Sequence, residues 1–512
     1  MTYLLGLDVG TSSAKAVLID ASGTVVATAA ADYEFVTPRP MWAECDPADW
    51  WQASVDAIGQ ILATAKVHSA DIAGIGLTGQ MHGLVLLDAS GEVLRPCIMW
   101  NDQRTVSQCR MITERLGGER VLQLTGNPIL PGFTAGKIAW VRDNEPHVYA
   151  KAAKVLLPKD YVRYRLCGAY FTDVSDASGT SLLDVARRKW SDQMLEASGV
   201  PGQWMPEVTE SAVASANVNA QAAAATGLCE GTPIAGGAGD QAAQAVGCGV
   251  VREGILSATF GTSGVVFAHS DEYRVDPEGR LHAFCHAVPG KWHLMGVMLS
   301  AAGSLQWYRN TLGQEQVALA RQTGGDAYDL LTAEASRVAA GGEGLLFLPY
   351  LSGERTPYPD PDARGVFFGL TLRHGKAHLT RAVLEGITYG MRDSLELMRA
   401  LGVTSDRIIA SGGGAASSFW RQMMADVFQT RITTTNVTQG AAYGAALLGG
   451  VAAGVHATVQ EASHKCLLDT SQTEPGEDAT VYDDYYRRYR ALYPALKGEF
   501  AAIAELVQRH QG

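Results

Sequence analysis

The chain has no C-x-x-C pair, and its eight cysteines (Cys45, Cys97, Cys109, Cys167, Cys229, Cys248, Cys285 and Cys466) fall at spacings that suit neither a zinc site nor a disulfide framework. They read as small core residues in a reducing compartment. Charge is also scarce: charged residues are 18% of the 512, against 47% hydrophobic, and the formal net charge is −12. Such a composition supplies ample material for buried cores and argues against disorder. Its sign opposes nucleic acid and anionic membranes as partners. No basic helix-turn-helix segment is added that would mark a DNA-binding regulator. No apolar run is long enough to span a bilayer, and the start, Met1-Thr2-Tyr3-Leu4-Leu5-Gly6, lacks a basic n-region. The expectation is a large cytoplasmic enzyme of two or more domains, with no membrane and no nucleic-acid partner.

What the chain does hold is a small structure written twice. Gly10-Thr11-Ser12 recurs as Gly261-Thr262-Ser263, close to half the chain length away. Leu4-Leu5-Gly6-Leu7-Asp8 leads into the first copy as an apolar strand, and residues 14–19 leave it as another; residues 254–260 and 264–267 repeat the plan around the second. Glycine permits close backbone approach, and hydroxyls with successive N–H groups form a concavity that favours an anion such as phosphate. Two such turns predict one polyphosphate held between two lobes. The copies differ at one informative position, Asp8 in the first and Thr259 in the second. Nucleotide phosphates arrive with magnesium, a hard cation that takes oxygen ligands, so Asp8 is the candidate metal anchor. Lys15, just beyond the first turn, is read either as a phosphate contact or as a solvated strand residue.

Three further segments concentrate chemistry. Thr78-Gly79-Gln80-Met81-His82-Gly83 is a glycine-bounded loop between two apolar strands, with Trp100-Asn101-Asp102 nearby, and places Gln80 and His82 where a small polar ligand would sit. A structural histidine satisfied by backbone is the competing reading. Pro233-Ile234-Ala235-Gly236-Gly237-Ala238-Gly239-Asp240-Gln241 reads as a strand, a glycine turn and the start of a small-residue helix. Aspartate is a favoured helix N-cap without any catalytic purpose, yet four small residues clear the space before Asp240. A helix N-terminus lowers a carboxylate pKa, so Asp240 is expected to be ionised and able to accept a hydrogen bond from a substrate hydroxyl. A weaker echo without the acid, residues 438–446, predicts a second closely packed glycine and alanine helix, suited to a shear or hinge between domains. Arg407-Ile408-Ile409-Ala410-Ser411-Gly412-Gly413-Gly414 reads as a strand into a triple-glycine turn and then a helix from Ser417 or Ser418. The aromatic and charged stretch 481–509 reads as a packing helix.

These segments, in this order, resemble the FGGY carbohydrate kinases, whose duplicated core is shared with hexokinase, actin and the heat-shock ATPases. Asp8 to Ser12 is similar to the first phosphate motif, Gly261-Thr262-Ser263 to the second, and Gly412 to Ser418 to the adenosine motif. Gly132-Phe133-Thr134 with Lys137, Trp140, Asp143 and Asn144, and Gly365-Val366-Phe367-Phe368-Gly369-Leu370 with His378, Leu379, Ala382 and Glu385, resemble the family's signatures. Within the family, Gly79 to Gly83, Trp100-Asn101-Asp102, Pro158-Lys159-Asp160-Tyr161 and Leu351-Ser352-Gly353-Glu354-Arg355-Thr356-Pro357 look most like the xylulokinase branch, although Gln241 stands where many of its members have asparagine.

The resemblance implies an α/β fold of duplicated ribonuclease H-like, actin-like domains flanking a central cleft, with residues 1–250 carrying the sugar loop and catalytic acid and 251–512 most of the ATP site. It implies transfer of the ATP γ-phosphoryl group to a ketose such as D-xylulose. Asp240 would take the proton and Asp8 would fix Mg2+. Gln80, Met81, His82, Asp240 and Gln241 would lie on the sugar. Thr11, Ser12, Lys15, Gly261 and Thr262 would hold phosphates, with Gln306, Gly413 and Ser417 nearer the nucleoside. A homodimer is expected on the same ground. L-ribulose, L-fuculose, gluconate or a polyol such as glycerol are alternative acceptors, and a non-catalytic actin-like ATP-binding protein is a distant one.

Overall fold

The computed structural model describes residues 1–511. Its first sheet is built from β1 (Tyr3–Val9), β2 (Ser13–Asp20), β3 (Val25–Asp32), β4 (Ile72–Gly79), β5 (Ala214–Asn217), β6 (Pro233–Ala235) and β7 (Ala238–Gly239), in the order β5-β6-β4-β1-β2-β3 with β7 also on β4. The second holds β8 (Gly254–Phe260), β9 (Gly264–Ser270), β10 (His282–Cys285), β11 (Trp292–Met298), β12 (Ser405–Gly412), β13 (Arg431–Thr435) and β14 (Asp469–Thr473), in the order β10-β11-β9-β8-β12-β13-β14. The duplication is therefore one of topology. In each sheet a central strand (β1 or β8) runs antiparallel to its hairpin partner (β2 or β9) and parallel to a crossover strand (β4 or β12), and a further parallel strand (β6 or β13) follows outside. Equivalent positions recur in register: Asp8 stands opposite Thr78 on the crossover strand, and Thr259 stands opposite Ser411.

The central strands β1 and β4 are buried on both faces, which is why β1 runs Leu4-Leu5-Gly6-Leu7 without a polar side chain before Asp8. Leu5, Leu7 and Val9 face the Pro47–Ala65 helix, whose Trp50, Ala57, Ile58 and Ile61 form one apolar stripe. That helix starts on Asp46, whose carboxylate accepts from Ala48 N at 2.9 Å, and ends on Lys66 at φ +53°. Leu4 on the other face packs with Ala442, Ala446 and Leu447 of the Ala441–Ala452 helix. Gly6 and Gly76 lie so close beneath this helix that a β-carbon on either would strike the carbonyl of Ala442 or Ala445.

The two halves exchange helices. The Asp240–Cys248 helix follows the first sheet, yet sets Ala245 against Ile255, Phe267 and Ile409 of the second. The Ala441–Ala452 helix comes from the second half and packs on the first. They cross where Gly247 meets Gly444, with backbone against backbone. The Ala479–Gln511 helix buries Tyr482, Tyr486, Tyr489, Tyr493 and Phe500 on the second lobe, at helical spacing. No helix among the described residues is long and apolar enough to cross a membrane. Of the cysteines, five are buried, Cys167 and Cys248 are partly buried, and Cys229 is exposed, so the expectation of core residues holds for most of them.

Candidate active site

The first glycine turn is braced from three sides. Gly10 N donates to Ser13 O at 2.9 Å, Tyr33 OH and Gln80 Nε2 donate to Gly10 O at 2.5 and 2.8 Å, and Trp100 Nε1 donates to Thr11 Oγ1 at 3.0 Å. Ser12 closes the turn with its carbonyl on Tyr33 N at 3.0 Å. Gln80 thus spends its amide nitrogen on the turn, while its Oε1 is buried without a protein partner. Asp8 stands one residue before the end of β1, behind the turn, and Lys15 stands opposite it on β2.

Across β4 lies the second acid. Ala238 and Gly239 pair with Thr78 and Gly79 on the side of β4 away from β1, which brings Asp240, at the start of its helix, to the same end of the sheet as Asp8 and within reach of its charge. Burial and then the Asp8 charge push the Asp240 carboxyl up to about 7, against the opposing N–H of Gln241, which reaches Oδ1 at 2.7 Å. Asp8 is pushed up to about 6 by burial, less the pull of Lys15. The expectation that the helix N-terminus would keep Asp240 low is corrected here, because desolvation and a like charge outweigh the helix end. One turn further along, Gln244 Nε2 donates to Thr259 Oγ1 at 3.1 Å, and Thr259 bonds Ser411 Oγ at 3.0 Å. A single helical turn, about 6 Å of rise, therefore links Asp240 to Thr259, the counterpart of Asp8 in the other lobe.

On the sugar-loop side, Met81 packs over Gly239, where any β-carbon would collide with its side chain. His82 has φ +70°, and its ring stacks on Phe133 with centroids 4.3 Å apart. His82 Nδ1 lies 2.6 Å from Gly179 O, which can only accept, so Nδ1 carries the proton and Nε2 is left as an acceptor. Burial drives this imidazole down to about 3, so it is neutral at ordinary pH. The loop carbonyl of His82 receives Thr134 Oγ1 at 3.0 Å and Lys137 Nζ at 2.8 Å, and Lys137 also reaches Gly132 O at 2.6 Å. His82, Trp100 and Phe133 line a cleft cavity of about 610 Å3, whose far wall is Glu354, Arg355 and Asp360.

A second cavity, of about 410 Å3, opens beyond the other turn. Gly261, Thr262, Gln306, Gly413 and Ser417 line it together, as the sequence groups them. Gly261 O and Thr262 O accept from Ala302 N and Ala301 N at 2.9 Å each, which pins the turn to the Ala302–Thr311 helix that presents Gln306. Ser417 caps the Ser418–Phe428 helix. Asp326, Tyr328 and Asp329 form the opposite wall and are absent from the sequence reading. Asp326 carries an N-cap signal only, with Tyr328 N on its Oδ1 at 2.8 Å, and nothing in that pattern marks a ligand.

Among the described residues no group of three or more His, Cys, Asp or Glu could hold a metal ion. A recessed Asp8 carboxylate behind a phosphate-type turn, with the Asp240 charge within electrostatic reach, fits instead a hard divalent ion bound through a carboxylate directly or through water, with phosphate oxygens completing its shell.

The models of the FGGY family of carbohydrate kinases match here in sequence order, the N-terminal domain over residues 3–247 and the C-terminal domain over 256–453. The chain is 41% identical over 494 residues to a xylulose kinase of Escherichia coli (strain K12), covering 96% of this chain and 99% of the relative. It is 33% identical over 513 residues to a gluconokinase of Bacillus subtilis (strain 168), covering 98% of each. The crystal structure of xylulose kinase from Rhodospirillum rubrum superposes with a TM-score of 0.90 at 32% identity, over 98% of this chain and 100% of that one. With the duplicated α/β lobes and the cleft between them, these matches show that the chain belongs to the FGGY family of carbohydrate kinases.

Proposed function

We propose that the chain transfers the γ-phosphoryl group of ATP to O5 of D-xylulose, giving D-xylulose 5-phosphate and ADP. The observation that carries this is the placement of Asp240 between the Met81 side chain, packed over the preceding Gly239, and the strand leading into the Gly261–Thr262 turn, bonded to its helix through Gln244, with Asp8 close enough for its charge to act on the acid. Relatives named xylulose kinase across nearly the full length support the acceptor. In the step, the sugar O5 forms a bond to Pγ, the bond from Pγ to the β,γ-bridging oxygen breaks, and the hydroxyl proton passes to an Asp240 oxygen. The transition state of such transfers is loose, so positioning and charge neutralisation dominate. Kinases of this family use magnesium-ATP. Mg2+ held by Asp8, directly or through water, would offset the charge gathering on the phosphate oxygens. The turns at Thr11–Ser12 and Gly261–Thr262 grip the phosphates, with Lys15 on the first of them. Gln306, Gly413 and Ser417 hold the nucleoside. Neutral His82 accepts a sugar hydroxyl at Nε2, Met81 packs on the sugar carbons, and Gln80 and Gln241 flank it. We place the division between the lobes near residue 250, with the helix exchange across it.

A second reading, an aldonic acid as acceptor, is favoured by Arg355, a cation on the wall of the sugar-side cavity. ADP release from magnesium-ATP, measured against D-xylulose, L-xylulose, D-ribulose, L-ribulose, glycerol and gluconate, decides between them. Selectivity for D-xylulose is expected. Preference for gluconate would overturn the ketose assignment and leave the transfer chemistry intact.

A further inference from the structure

The segment that delivers Asp240, residues 236–239, is Gly-Gly-Ala-Gly and has almost no side chain with which to anchor itself. Glycine-rich backbone is the least restrained of any, yet a displacement of about 1 Å at a reacting group costs on the order of 100-fold in rate. Whatever fixes this segment must grip its backbone from outside. Four bonds do so. Gly236 N donates to Val213 O at 2.9 Å, Gly236 O accepts from Arg163 NH1 at 2.6 Å, Gly237 N donates to Ser211 O at 3.0 Å, and Gly239 N donates to Ser175 Oγ at 3.1 Å.

Two of these four holds converge on one carboxylate. Ser175 Oγ and Ser211 Oγ both donate to Asp173 Oδ2, at 2.5 and 2.7 Å. Asp173 Oδ1 is 2.9 Å from Lys159 Nζ, which also lies 2.6 Å from Asp160 Oδ1 and 3.2 Å from Asp176 Oδ2. Arg163 pairs with Asp160 at 3.2 Å and so joins the third hold to the same cluster. Every one of these ionic side chains is at most 1% exposed. Burial works against the Lys159 ammonium, but Asp160, Asp173 and Asp176 together raise its pKa, so the lysine stays charged. A buried cluster of this kind returns little net stability for its desolvation cost. Its effect is to fix geometry.

We propose that Asp173, clamped by Lys159, is a positioning residue for the phosphoryl transfer: through the Ser175 hydroxyl on Gly239 N it sets where the Asp240 carboxylate stands. This rests on Asp240 being the proton acceptor. Asp173 itself touches no substrate.

Ser175→Ala removes the link from Asp173 to Gly239 and leaves the ion cluster whole. Steady-state kinetics on wild type, Ser175→Ala, Asp240→Ala and the double variant test the inference. Ser175→Ala is expected to lower kcat about 10- to 100-fold, with KM for D-xylulose and for ATP within about threefold and the melting temperature near wild type. In the Asp240→Ala background it is expected to add nothing, because no carboxylate remains to be placed. An equal, additive loss in both backgrounds, or an unchanged kcat in Ser175→Ala, overturns the positioning role alone. A wild-type rate in Asp240→Ala overturns the base assignment and the positioning role with it. Should Ser175→Ala not fold, Ser175→Cys carries the same test, since the thiol fills the place of the hydroxyl but is a weak acceptor for Gly239 N.

Discussion

At the scale of single residues the site is a contest between burial and charge, and Asp240 records the outcome. Its carboxyl is held at about 7 in the free protein, by burial first and by Asp8 second. A base must be ionised to take a proton, so kcat/KM, which reports the free enzyme, is expected to fall as pH drops through about 7 and to level off above it. The plot of kcat at saturating magnesium-ATP and sugar is expected to keep its plateau to lower pH, since a cation beside Asp8 cancels the charge that helps to raise Asp240. Rate profiles between pH 5 and 9 check this, and coincident acid limbs in the two plots would remove Asp8 as the coupled group. The place of Asp240, after a small-residue turn and at the start of a small-residue helix, was legible in the sequence. Its ionisation was not, because a helix N-terminus can be read from sequence, whereas desolvation and the approach of an acid 232 positions away belong to the folded chain alone. His82 is similar. Its glycine-bounded loop is visible in the sequence, but the tautomer depends on Gly179 O, and no local pattern links those two residues.

Among the elements, the turns and strands were legible since each is local: an apolar run, a glycine, a hydroxyl pair. The exchange of helices was not, because glycine and alanine content announces close packing without naming the partner. Gly444 now has one. Alanine is about 1 kcal/mol better than glycine inside a helix, so Gly444→Ala would stabilise an isolated helix. In this protein the added carbon would run into Ala243 O and Gly247 N, both backbone atoms that cannot turn aside. The clash is expected to win, with a loss of about 1–3 kcal/mol and a lower melting temperature. Gly59→Ala is the matched control. Gly59 lies exposed in the Pro47–Ala65 helix with nothing within 4 Å of a β-carbon, and the change is expected to raise stability by about 0.5–1 kcal/mol. Denaturant unfolding of the pair separates the two, and a stabilised Gly444→Ala would mean that the helices do not cross at this point. The Asp326 and Asp329 wall of the nucleoside-side cavity escaped reading for a related reason: it is the N-cap and first turn of the Ala327–Ala335 helix, and a cap signal says nothing of a ligand.

At the scale of the whole molecule, one short helix carries Asp240 at its start, belongs to the first half of the chain and packs on the second. A slide at the Gly247–Gly444 crossing would shift the acid's helix against the Ala441–Ala452 helix, while the Gln244–Thr259 bond ties it to the strand that leads into the Gly261–Thr262 turn. Such a shear needs no change inside either sheet. It also bears on the competing acceptor. With the sugar-side cavity holding only water, a water molecule can occupy the place of O5 and meet the same base, and what distinguishes the two reactions is how well closure aligns the acceptor. Hydrolysis of ATP without sugar is thus expected to be slow but real, and to depend on Asp240 as transfer does. Asp240→Ala is expected to lower ADP release by about 100- to 10,000-fold, both with and without D-xylulose, while Gln241→Asn, which keeps the acid, alters mainly KM for the sugar. A coupled assay of ADP release, run with and without sugar on the three proteins, makes the comparison. Hydrolysis that survives Asp240→Ala while transfer is lost would place the activation of water elsewhere in the cleft, and would separate the closing of the lobes from the chemistry of the acid.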